Sequence, residues 1–105
     1  MKPRIARSKY GSRKTKVDGI TFASQKEATR YGILKLLQKT GQISDLKLQV
    51  RFKLVQTVTY VADFEYYDRT KGVKVVEDVK GFKTPVYLRK KKLMQEQHGI
   101  EILET

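Results

Sequence analysis

The stretch Val58-Thr59-Tyr60-Val61-Ala62-Asp63-Phe64-Glu65-Tyr66-Tyr67-Asp68-Arg69-Thr70-Lys71-Gly72-Val73-Lys74-Val75-Val76-Glu77-Asp78-Val79-Lys80 decides the fold. Its two arms, Val58 to Tyr67 and Val73 to Lys80, are rich in β-branched and aromatic residues, the composition of strands. Asp68 to Gly72 between them has turn chemistry, so the arms are expected to pair antiparallel. A turn centred between residues 70 and 71 sets opposite one another the positions whose numbers sum to 141. Asp63 then faces Asp78, and Val61 faces Lys80. A slip of one residue would set Asp63 against Glu77 and turn Asp78 to the other face of the sheet. An acid faces Asp63 in either register.

Outward from this hairpin, Leu46, Leu48, Val50, Phe52 and Leu54 alternate with Lys47, Gln49, Arg51 and Lys53, which predicts a preceding strand over 46–54. Ser24-Gln25-Lys26-Glu27 has the form of a capping box and opens a helix expected to end near Thr40, with Gly41 taking the left-handed terminal conformation. Ala28, Tyr31, Leu34 and Leu37 form its buried stripe, and Glu27 lies close to that side. Asp18-Gly19 between Val17 and Ile20 suggests a tight hairpin. After the third strand, Thr84-Pro85 starts a second helix that should reach His98, with Gly99 ending it. Val86, Leu93 and Met94 mark its buried side, with Lys90 nearby, and Ile100 to Leu103 reads as a last short strand. The order helix, three strands, helix, strand predicts an α/β domain over 17–105. Its mixed four-stranded sheet is covered by helices, and the last strand returns parallel through a crossover.

The chain has 105 residues, with 23 Lys plus Arg against 11 Asp plus Glu, giving a formal charge of +12. Absence of Cys excludes disulfides, thiolate metal sites and cysteine nucleophiles, and one His argues against histidine-based metal centres or triads. No apolar run approaches the ~20 residues of a membrane span. A domain this basic is expected to meet a polyanion, nucleic acid first. Residues 1–16 hold seven basic side chains and no acid, and are expected to form a loosely ordered arm. Arg13, Lys14 and Lys16 of this arm, with Lys83, Arg89, Lys90 and Lys91, are candidate phosphate contacts.

Charged residues inside apolar strands are costly unless paired, exposed or metal-bound. Facing carboxylates of Asp63 and Asp78 become tolerable around a divalent cation, and Lys80, two residues on, emerges beside Asp78. Two acids and a lysine on one face outline a Mg²⁺ site with a charge stabiliser, a constellation suited to phosphodiester cleavage. The plainer account is a half-solvated sheet with Lys80 in a cross-strand ion pair, and a capping role alone explains Glu27.

With these residues in view, the chain resembles the PD-(D/E)XK nuclease superfamily, whose common core has this element order. Glu27 in Ser-Gln-Lys-Glu-Ala, Asp63 in Ala-Asp-Phe and Asp78-Val79-Lys80 stand where that superfamily carries its helix acid, first strand acid and acid-x-Lys. The superfamily's Pro before the first strand acid is replaced by Ala62. More narrowly, Asp18 to Ala28, Ala62 to Tyr66 and Val76 to Gly81 resemble the pattern of small phage and prophage proteins. The resemblance implies a restriction-endonuclease-like fold and a Mg²⁺- or Mn²⁺-dependent DNA endonuclease, with branched DNA a candidate substrate, as for junction resolvases. It implies metal ligands Asp63, Asp78 and the Val79 carbonyl, with Glu27 completing the acidic cluster and Glu77 as the alternate acid. It further implies a catalytic Lys80, a homodimer and action in the cytoplasm of a bacterial host. The competing expectation is a non-catalytic nucleic-acid binder, of ribosomal type or a phage DNA-binding factor.

Overall fold

A computed structural model describes residues 14–55 and 57–105. The basic arm up to Arg13 lies outside the described residues. The chain divides into two compact units, with the boundary between Ile33 and Leu34.

In the first unit, β1 (Thr15–Val17) and β2 (Ile20–Phe22) form the expected hairpin, with Val17 paired to Ile20. Asp18 and Gly19 have φ of 54° and 75°, the left-handed pair that a two-residue turn of this type requires. β1 begins inside the stretch expected to be loose, so Thr15 and Lys16 are ladder residues rather than arm. The helix α1 (Gln25–Lys39) starts as its capping residues predict, with the Glu27 amide donating to Ser24 Oγ at 3.1 Å. Within this unit Phe22 packs on Tyr31 with ring centroids 5.0 Å apart, and the Tyr31 hydroxyl donates to Asp18.

In the second unit, α1 ends on Gly41 at φ 86°. The Gln42 amide bonds back to Leu37 and the Gly41 amide to Gln38, closing the last turn. Four strands follow: β3 (Ile43–Lys53), β4 (Thr59–Asp68), β5 (Val73–Asp78) and, after the helix α2 (Pro85–His98), β6 (Leu103–Glu104). The sheet order is β3-β4-β5-β6, antiparallel except for the parallel β5–β6 pair that the α2 crossover permits. The fold is the expected mixed α/β arrangement. β3 starts three residues earlier than its alternation suggested, because a bulge between Ser44 and Lys47, with Asp45 at φ 56°, interrupts the two-residue period.

The β4–β5 register follows from the turn. Asp68 Oδ1 accepts bonds from the Thr70 and Lys71 amides and from the Thr70 hydroxyl, and Gly72 at φ 71° closes the loop. Phe64 pairs with Glu77 and Asp68 with Val73, so paired numbers sum to 141. This is the register that sets Asp63 across from Asp78.

One face of the sheet carries the main core: Leu54, Tyr60, Ala62, Val76 and Ile102 pack with Tyr87 and Met94 of α2. The buried side of α2 differs from expectation at Val86, which is 64% exposed. Tyr87, Lys90, Lys91 and Met94 form the inward stripe at i, i+3, i+4 and i+7, with the two lysines half-buried. The cation run had masked this phase. Met94 is fully buried in the cluster whereas Leu88 on the same helix is half-exposed. Met94→Ala should therefore lower unfolding free energy by about 2–5 kcal/mol. Leu88→Ala should change it by less than about 0.5 kcal/mol. Urea midpoints at unchanged slope measure both.

Candidate functional site

The site lies in the second unit, where β4 and β5 stop pairing. Strict alternation through the Phe64–Glu77 pair would put Tyr60 and Ala62 on the face of Phe64, Tyr66 and Glu77. Instead Tyr60 and Ala62 pack with Val76, and the Tyr60 hydroxyl donates to Asp78 Oδ2. The alternation of β4 therefore slips by one at Asp63, and Phe64, Glu65 and Tyr66 are buried in succession beyond it. On β3, Gln49, which stands between the Leu48–Phe64 and Val50–Ala62 pairs, has φ 53°. A local kink of this kind re-aims one side chain without ending the sheet.

Freed from the regular pleat, Asp63 turns toward the end of β5, where its Oδ2 accepts the Val79 amide at 2.9 Å. The next two side chains complete the group. Asp78, 3% exposed, receives the Tyr60 hydroxyl on Oδ2 and the Lys80 ammonium on Oδ1 at 3.4 Å. Lys80 also lies over the ring of Tyr87, with Nζ 4.0 Å from its centroid. The carboxylate and the aromatic face are both favourable neighbours for its cation.

Burial is the largest cause raising the Tyr60 pKa far above the usual phenol value, followed by its bond to Asp78 and the charge there, with Asp63 adding to the effect. Burial likewise raises Tyr87, followed by its bond to Glu104 and the carboxylates of Glu104, Asp78 and Asp63. Both phenols thus stay protonated at physiological pH and act as hydrogen-bond donors. Asp63 and Asp78 act on the same two tyrosines, which marks them as members of one electrostatic neighbourhood.

A second layer anchors Tyr87. Its hydroxyl donates to Glu104 Oε2 at 2.7 Å, and Glu104 also meets Lys83 at 2.9 Å and Lys91 at 3.1 Å. The backbone of Thr105, just after β6, ties this layer to the acid-x-Lys segment. The Thr105 amide donates to the Asp78 carbonyl, and the Lys80 amide to the Thr105 carbonyl.

Of the expected site residues, Asp63, Asp78, Val79 and Lys80 are brought together. Glu77 is not with them: it is fully buried and accepts from the Tyr66 hydroxyl at 2.7 Å and the Thr105 hydroxyl at 3.0 Å. Its role as alternate ligand gives way because the register sets it on the face opposite Asp78. Glu27 is buried in the first unit on the opening turn of α1. Lys83 and Lys91, expected at phosphate, are paired to Glu104, whereas Arg89 is exposed and Lys90 half-buried. Lys14 is exposed and Lys16 lies in β1. His98, the last residue of α2 as expected, contacts the Lys53 carbonyl at 2.8 Å and packs edge-on with Phe52.

Among the described residues no group of three or more His, Cys, Asp or Glu side chains is gathered to hold a metal ion. The donor set of Asp63, Asp78 and the Val79 carbonyl nonetheless suits a hard cation, since Mg²⁺ usually takes one or two carboxylates and fills its shell with water. Tyr60, Tyr87 and Glu104 escaped the sequence reading. The inward stripe of α2 pointed to Tyr87, but regular alternation directs Tyr60 away from Asp78, and only the kink brings it back.

A family model described as Protein of unknown function (DUF1064) matches residues 7–102, so the chain belongs to that family. No curated protein and no solved structure matches the chain. No helix of the described residues is long and apolar enough to cross a membrane.

The Lys83 ammonium foremost, then the Tyr87 hydroxyl and Lys91, hold the Glu104 carboxyl down to about 2 from an ordinary 4.5. A depressed carboxyl pKa stabilises the fold above the unfolded-state value, and that contribution is lost as pH falls toward the folded value. Wild-type stability in urea should thus decline between pH about 5 and about 2 more steeply than that of Glu104→Gln. The difference between the two proteins at neutral pH should close by the acid end of that range.

Proposed function

We propose that the chain is a metal-dependent endonuclease that hydrolyses DNA phosphodiester bonds. The observation that carries this reading is the convergence of Asp63, Asp78 and Lys80 at the kink of β4, with Lys80 3.4 Å from Asp78 and Asp63 bonded to the Val79 amide. Two carboxylates and a lysine on neighbouring strands are the outline expected of the superfamily that the sequence resembles. Asp63, Asp78 and the Val79 carbonyl would hold Mg²⁺ or Mn²⁺. When bound, such an ion supplies Lewis-acid polarisation of a phosphate oxygen and lowers the pKa of water.

The chain's own residues account for the rest. Lys80, held between Asp78 and the Tyr87 ring, stabilises negative charge that develops on the phosphate. Tyr60 fixes the Asp78 carboxylate through its hydroxyl, an outer-sphere bond of the sort that sets ligand orientation. Arg89, Lys90 and the basic residues of the N-terminal stretch hold the DNA backbone without reading sequence. In this reading branched DNA is the preferred substrate, two copies act together with one centre per strand, and the site of action is the cytoplasm of a bacterial host.

The test is cleavage of supercoiled plasmid and of branched oligonucleotides with Mg²⁺ or Mn²⁺. Asp78→Asn and Lys80→Ala should each lower the rate by at least about 10²-fold, the size of effect seen when one charge-stabilising group is removed. Unchanged binding of DNA by both variants would locate the loss in chemistry. Cutting that survives both substitutions rejects the assignment. DNA binding with no metal-dependent cutting on any form supports the alternative, a nucleic-acid binder without catalysis.

A further inference from the structure

Phe82 is 70% exposed, the most exposed of the large apolar side chains among the described residues. It sits in the connection between Lys80 and the Thr84 cap of α2, and Val86 on the first turn of that helix is 64% exposed. Lys83 stands between them in sequence. From Val79 to Gln95 the chain carries Lys80, Lys83, Arg89, Lys90, Lys91 and Lys92 and no acid. Two residues of chain span at most about 7 Å, so the Cα atoms of Phe82 and Lys80 lie within roughly one nucleotide spacing of each other.

We propose that Phe82 is a stacking platform for an unpaired DNA base next to the phosphate that Lys80 meets. This extends the nuclease reading by naming a substrate feature, and rests on it only for the position of that phosphate. An aromatic ring among cations is the pairing that single-stranded nucleic acid uses: cations meet the backbone, and the ring meets a base through its π-face. Within a duplex both faces of each base are covered by neighbours, so the ring finds a partner where pairing is interrupted, as at a branch, flap or single-stranded tract. A second copy of this chain is a poorer occupant, because it would bring the exposed cations Arg89 and Lys92 against their own copies. A lipid surface is poorer as well, since one ring and one valine fall short of the continuous apolar face of an interfacial helix.

The chain contains no Trp, so Phe82→Trp introduces one fluorophore at the proposed contact. Without divalent ion, a single-stranded oligonucleotide and a branched junction should quench its emission, and a blunt duplex of equal length should quench it far less. Phe82→Ala, a change at an exposed position, should weaken binding to single-stranded and branched DNA by about 5- to 150-fold. Duplex affinity should move less than about twofold, because its phosphate contacts remain. Equal quenching by all DNA forms, or unchanged affinity of Phe82→Ala for single strands, overturns the proposal. Quenching by phosphatidylglycerol vesicles but by no oligonucleotide overturns it in favour of a lipid contact. A change in sedimentation of Phe82→Ala with DNA affinity intact overturns it in favour of a self-interface. Because every readout is taken without cleavage, a protein that binds as described and never cuts refutes the nuclease reading and leaves the stacking contact standing.

Discussion

A carboxylate taken out of water must be met by donors or cations, and Asp78 is the residue at which this fold meets that demand. Its two oxygens are answered separately, one by a phenol and the other by an ammonium. Each partner is itself constrained. Tyr60 stands on β4 beyond the kink at Asp63, and Lys80 is pressed between Asp78 and the face of Tyr87. Loss of any one partner would strand a buried charge, and that costs more than the pair contributes. The geometry of β4, β5 and α2 is therefore tied to one side chain, and an active-site role for that side chain would use order the fold already requires.

The same demand explains the architecture after β5. A short parallel strand of two residues, Leu103 and Glu104, contributes little as a ladder. Its worth lies in what it carries to the end of β5. Glu104 gathers Lys83, Lys91 and the Tyr87 hydroxyl, while Thr105 bonds both the backbone beside Lys80 and the buried Glu77. The crossover helix α2 thus arrives with Tyr87 held at its hydroxyl, and its ring can serve as a fixed face under Lys80. Two buried acids on adjacent positions, Glu77 and Asp78, are separated by the strand pleat into two networks on opposite faces. Glu77 accepts from two hydroxyls, whereas Asp78 accepts from a phenol and pairs with an ammonium.

Much of this was legible in the sequence, and the boundary of legibility has physical causes. The hairpin register could be read because Asp68 and Gly72 specify their turn locally, and the turn counts outward to Asp63 and Asp78. Helix ends were legible for the same reason: Ser24, Thr84, Gly41 and Gly99 act on their own neighbours. What escaped depends on departures from periodicity. The slip at Asp63 has no single-residue signature, since Gln49 at positive φ is an ordinary residue in an unusual conformation. Its consequence, Tyr60 beside Asp78, was hidden with it. The α2 stripe was misphased at Val86 because Lys90 and Lys91 bury their stems while their charges reach outward. Glu104 is the last residue but one of the chain described, and its pairing with Lys83 and Lys91 is a tertiary fact that no local pattern encodes.

That pairing bears on how a basic protein presents acids to a polyanion. Phosphate approaching Asp63 and Asp78 meets two negative groups, so approach requires compensating charge close by. Lys80 supplies it within the centre, and Arg89, Lys90 and Lys92 extend it along α2. Lys83 and Lys91 are partly neutralised by Glu104 and Lys80 by Asp78, which leaves the uncompensated field on the exposed side of the helix. Under the proposed function, a field shaped in this way would draw a strand along α2 toward the kink of β4, where Lys80 would meet a phosphate oxygen without giving up Asp78. The Tyr87 ring lies 4.0 Å from the Lys80 Nζ, so the ammonium has an aromatic face beside it as well as the Asp78 carboxylate.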